Sequence, residues 1–147
     1  MIALNEMDIL ELENELMFHF SNRDLMILAL THDSYVNEHP GSESNERLEF
    51  LGDSVLDMII SYAGYRKISG GEGELHDYWK ALTSQANLAR VSDKLHLAKY
   101  LRLSEGLKSE SPVPESIREA VYEALVGAVF IDGGYDAVTI FVERTLL

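Results

Sequence analysis

Not one cysteine occurs among the 147 residues. Disulfides and thiolate metal sites are therefore excluded, and a reducing, cytoplasmic setting is the expectation. Proline occurs only three times while 46% of the residues are hydrophobic, a balance that suits a folded chain. No window reaches the ~18 uninterrupted apolar residues of a membrane span, so no membrane partner is expected. The opening "MIALNEMDILELENEL" lacks the basic segment of a signal or transit peptide. Positive charge is scarce: 12 Lys and Arg stand against 25 Asp and Glu, a net charge of −13. Proteins that hold nucleic acid by bulk electrostatics are basic, because Lys and Arg make the phosphate contacts. A nucleic-acid role here needs metal ions, local basic patches or a second module to supply the attraction.

What is present reads as one helical domain over residues 1–147. At this length a single core buries about two-thirds of the unfolded surface. There is no repeat, low-complexity run or dividing linker. Segments of helical period alternate with short breakers. "MDILELENELMFHF" leads to "SNRD", where Ser21 or Asn22 caps one helix running "RDLMILALTHDSYV". An acidic helix follows from Asn45 to about Tyr65, then the Gly-rich loop "KISGGEGE" and one or two helices over "LHDYWKALTSQANLARVSDKL". Pro114 suits the first turn of a last long helix, which ends at Gly133-Gly134 before "YDAVTIFVERTLL". Alternating strand-like runs are lacking, so the expected class is all-α.

The stretch "NERLEFLGDSVLDMII" concentrates Glu46, Glu49, Asp53 and Asp57 against one base, Arg47. On a wheel of about 100° per residue with Glu46 at zero, the four acids fall within a wedge of about 80°. Leu48, Leu51, Val55, Met58 and Ile59 fall between about 120° and 220°, a core stripe. Glu49 and Asp53, four apart, bring their Cβ atoms within ~5–6 Å, a spacing that suits a hard divalent cation with oxygen ligands. The bland reading is a solvated acidic face. Phe50 lands near about 40°, beside the acids and off the core stripe. It is either a partly buried surface residue or an interface contact. Gly52, in mid-helix, costs roughly 1 kcal/mol relative to Ala and implies close approach of a helix or a ligand.

"NERLEFLGDSVL" resembles, nearly residue for residue, the signature of the ribonuclease III family. The likeness extends to "LALTHDSYVNE", to "EGELHDYWKALTSQANLARVSDKLHLAKYLRLSEG" and to "YEALVGAVFIDGGYDA", in order and with family-like spacing. It implies a helical endonuclease domain that dimerises and cuts double-stranded RNA with magnesium, manganese being a plausible substitute. By that resemblance Glu49 and Asp53 bind metal, and Glu123 bridges metal ions and is essential for cleavage. Glu46 belongs to the catalytic acidic cluster, and Glu72 lies near the RNA and the metal network. Phe50 inserts into a cavity of the partner subunit, in keeping with its wheel position. Phosphodiester hydrolysis needs an activated water and relief of charge on the phosphoryl oxygens, which metal ions held by carboxylates supply. Such ions also reverse the local field, so an anionic site accepts an anionic substrate.

The chain departs from the family pattern at one ligand. An aspartate usually stands three residues before the glutamate of the last motif; here that position is Ala120. With Ala120 at zero, Glu123 sits near about 300° and Glu119 near about 260°. Glu119 is thus either a substitute ligand or a solvated helix residue. Water can also fill a magnesium coordination site. Ala120 is compatible with a substitution made for study, a natural enzyme with a modified site, or a member that has lost catalysis. The chain also stops before the double-stranded-RNA-binding domain found in typical bacterial members, which leaves an excised nuclease domain or a short form. Two functions follow: a homodimeric, metal-dependent endoribonuclease, or a catalytically silent scaffold of the same fold that binds RNA or protein. The histidines (His19, His32, His39, His76, His96) lack ligand spacing and read as structural or exposed. Tyr78 and Trp79 read as core or dimer-seam residues, and Asp57 as a solvated acid.

Overall fold

The computed structural model describes residues 4–147; the first three residues of the N-terminal opening lie outside them. The elements are α1 (Glu6–Leu16), α2 (Arg23–Ala29), α3 (Asp33–Glu38), α4 (Glu46–Lys67), α5 (Glu72–Thr83) and α6 (Gln85–Lys94). A 3₁₀ turn (Leu97–Tyr100), α7 (Glu105–Lys108) and α8 (Glu115–Thr145) complete the chain. Among the described residues there is no strand, only an isolated parallel bridge between Thr31 and Arg102. The all-α expectation holds.

Local chemistry sets the helix starts. Asn5 and Asp8 form a reciprocal capping box at α1, and Ser84 separates α5 from α6 by accepting from the Asn87 N–H. Asn22, rather than Ser21, caps α2 by accepting from the Asp24 N–H. The single helix expected over "RDLMILALTHDSYV" breaks into α2 and α3. At the break the Arg102 N–H donates to the Leu30 carbonyl (2.8 Å) and the His32 N–H donates to the Arg102 carbonyl (3.0 Å). These bonds to a distant segment replace the helical ladder. His32 then caps α3, accepting from the Ser34 N–H at 3.1 Å, which is a structural role.

Two long helices, α4 and α8, form the centre and bury each other. Residues 121–129 of α8 are all buried, which accounts for a hydropathy that matches a membrane span by length and composition. Here that apolar surface packs on α4, α6 and α2. Gly134 (φ 84°, ψ −172°) kinks α8 in a backbone region reserved for glycine, so the helix end expected at Gly133-Gly134 is a sharp bend between two helical halves.

The buried side of α4 is rotated from the expected stripe. Leu48, Val55, Leu56, Ile59 and Ile60 are buried, together with Gly52 and Gly64. Met58, expected inside, is 48% exposed. Its side of the helix carries Phe50, Tyr62 and Tyr65, all exposed. Outward apolar residues thus line a strip of α4 next to the acids.

Candidate active site

The site begins where α4 crosses α8. A Cβ built on Gly52 would lie 1.7 Å from the carbonyl oxygen of Glu123, and one on Gly127 would lie 2.4 Å from the carbonyl oxygen of Leu48. Only glycine admits this approach at either position, which explains the helix-weakening Gly52. With the backbones in contact, Asp53, the residue after Gly52, and Glu49, three residues before it, are brought toward Glu123. Gly127 is the half of this contact that the sequence reading missed; its signal was a glycine one turn beyond Glu123.

Glu123 is 7% exposed and accepts no hydrogen bond from the described residues. Burial, followed by the charges of Asp53, Glu119, Glu49 and Asp57, pushes its carboxyl up to about 8. Glu49 is half-buried and raised by burial, then by Glu46 and Asp53. Asp53, largely exposed, is raised by partial burial and by Asp57. Glu119 is half-buried and raised by burial, then by Glu49, Asp53 and Glu115. In all four, burial acts first and neighbouring carboxylates add to it in the same direction. Among the described residues, none of Glu46, Glu49, Asp53, Asp57, Glu119 and Glu123 has an ion-pair partner.

Other expected positions divide. Glu46 reaches the group through its charge on Glu49. Asp57 is no solvated acid: it is half-buried and accepts from Trp79 Nε1 at 2.8 Å, so it ties α5 to α4. Trp79 and Tyr78 pack against the core edge. Glu72 is exposed in the first turn of α5 rather than inside a loop, and its charge is not among those acting on Glu123. Ala120, half-buried, presents a methyl group one turn before Glu123.

Oxygen donors without ion-pair partners are the set a hard cation takes, and a carboxyl raised by burial and by neighbouring acids is one whose charge a divalent ion favours. The donor chemistry fits magnesium or manganese. Among the described residues no three acid or imidazole side chains converge on one point, so the arrangement is an open cluster rather than a closed cage.

A paired-helix scaffold carrying unpartnered acids on both members defines a class, and comparison with known proteins gives it a family. The model of the Ribonuclease-III-like family matches residues 22–147, and this chain belongs to that family. Ribonuclease 3 of Desulfotalea psychrophila is 39% identical over the whole chain, and that of Symbiobacterium thermophilum 39% identical over 88% of it. The chain spans 62% and 55% of the length of these two relatives. Among solved structures, the nuclease domain of ribonuclease III from Campylobacter jejuni superposes with a TM-score of 0.85 at 31% identity, covering 94% of this chain and 95% of that one. Dicer from Pichia stipitis gives 0.63 at 25% identity, covering 86% of this chain and 54% of that one.

Proposed function

We propose that this chain is a metal-dependent endoribonuclease domain that works as a homodimer on double-stranded RNA in the cytoplasm. The observation that carries this is the Gly52–Glu123 contact, which gathers unpaired carboxylates from α4 and α8 on one side of the crossing. Glu49, Asp53 and Glu123 would hold magnesium or manganese, with Glu46 beside them. A bound cation supplies charge relief at the phosphoryl oxygens and a more acidic attacking water. The protein's own part is to hold the acids rigidly, because both helices are anchored in the core and cannot separate without losing it. Glu72, at the free start of α5, stands toward solvent, where a duplex would lie.

Homodimerisation is supported by the strip of Phe50, Met58, Tyr62 and Tyr65, which is costly to leave in water. The Campylobacter jejuni nuclease domain is described with flexibility in a region involved in dimer formation. With a net charge of −13, the domain gains little from bulk attraction, so duplex affinity should depend on the cation and fall with salt. Double-stranded RNA is read through shape and 2′-OH contacts, so little sequence preference is expected.

The test is incubation of the purified chain with a long RNA duplex and magnesium or manganese. Cleavage should appear and vanish with chelator, and Ala120→Asp should increase it by about tenfold, the scale of ligand-support effects. No cleavage by the original chain or by Ala120→Asp would leave the scaffold reading in its place. Phe50→Ala should lower the sedimentation coefficient to that of a monomer.

A further inference from the structure

Position 120 presents a methyl group where the family pattern has a carboxylate, yet the acid cluster is no poorer in carboxylates for it. Glu119, the preceding residue, stands about 40° from Glu123 around α8, whereas position 120 stands about 60° away on the other side. Its carboxyl is one methylene longer than an aspartate's. The charges acting on it come first from Glu49 and then from Asp53, both across the crossing on α4; Glu115, on its own helix, comes after them. Half-buried and about 40° from Glu123 on the same side of α8, Glu119 stands at the edge of the crossing rather than on the fully exposed face.

Its neighbours point elsewhere. Arg118 pairs with Asp93 and donates to the Val113 carbonyl, so the adjacent base does not neutralise Glu119. Glu115, one turn away, accepts from Gln85 Nε2 at 3.3 Å and is turned toward α6. Among the described residues Glu119 has neither a hydrogen-bond donor nor an ion-pair partner. A second observation, from geometry, marks the same spot: Glu123, 7% exposed and without a hydrogen-bond or ion-pair partner among the described residues, lies one turn from Glu119 on the same side of α8.

We infer that Glu119 supplies to a bound divalent cation the carboxylate that Ala120 lacks. The inference rests on the metal-dependent reading above and adds a ligand specific to this chain.

Manganese binding to the purified chain, followed by calorimetry in the presence of a non-cleavable duplex, tests it without recourse to activity. Glu119→Gln should weaken manganese affinity by about tenfold or more, the scale on which even supporting partners of metal ligands act. Glu115→Gln should leave it unchanged, and Ala120→Asp placed in the Glu119→Gln background should restore it. Equal affinity for the original chain and Glu119→Gln would overturn the inference while leaving the metal site standing. No manganese uptake by the original chain would overturn both. Thermal unfolding in chelator separates ligation from folding: Glu119→Gln should melt no lower than the original, because it removes one of several like charges. A lower melting temperature would mark Glu119 as a structural residue and overturn the inference.

Discussion

Two buried glutamates in this molecule live under opposite conditions. Glu13, in α1, is 1% exposed and fully engaged: the Phe20 N–H donates to it at 2.8 Å, Arg23 Nη2 at 2.8 Å, and His19 Nδ1 lies 3.5 Å away. Glu123 is also buried, and the charges acting on it are those of other acids. An unpaired buried charge is among the costliest groups a fold can carry, so folds either pair it or shift its protonation. Glu13 is a strut that locks the α1–α2 turn. Glu123 has no such partner, and under the proposed function a divalent ion would take the place that Arg23 holds beside Glu13. The contrast separates a paired buried acid from an unpaired one.

The contrast breaks most sharply at Gly52. Gly52→Ala would drive a methyl into the Glu123 carbonyl, a backbone atom that cannot rotate away. The helices must part, and with them the carboxylates. The expected loss is about 4 kcal/mol or more, a large share of a total stability of about 5–15 kcal/mol. Urea unfolding followed by circular dichroism measures it. Duplex cleavage should be lost even in the fraction that stays folded; unchanged stability would mean that the crossing is looser than described.

Glu13→Gln strikes the paired acid. The amide keeps the shape but removes the charge that Arg23 answers, although Arg23 retains Glu6 at 2.7 Å. About 3 kcal/mol should be lost, as when one partner of a buried pair is removed. Manganese affinity should not change, because the site lies on other helices. A parallel loss of metal binding would dissolve the distinction between the two acids.

Much of this was legible in the sequence, and what was not has a common cause. The acidic wedge of α4, the outward Phe50 and the close approach at Gly52 follow from local period and from the identity of one glycine, so they survived contact with the structure. Four features depend on residues far apart in the chain. The break between α2 and α3 is made by the backbone of Arg102; the engagement of Asp57 by Trp79; the rotation of the α4 core face, which leaves Met58 outside, by the packing of α8 on α4; the half-burial of Glu119 by that same packing. A helical wheel knows nothing of its neighbours. It located the acids within one helix and could not say which residue of another would face them.

The smallest expected effect carries the most specific sign. Burial and neighbouring acids hold the Glu123 carboxyl up to about 8, far above its value in an unfolded chain. Between those two values the unfolded state releases a proton that the native state keeps. The stability that this group contributes is therefore complete below about pH 4.5 and is lost as pH rises toward 8 in chelator. Glu49, Asp53 and Glu119 are raised too and add to the same slope. Glu123→Gln removes the largest contributor, so at pH 8 in chelator the variant should be more stable than the original chain by about 1–3 kcal/mol. At pH 5 the two should nearly coincide. Manganese should then raise the melting temperature of the original chain and barely that of the variant, because only the original offers the buried charge that the ion relieves. A variant less stable at pH 8 would make Glu123 a strut like Glu13, and the division between the two glutamates would fall.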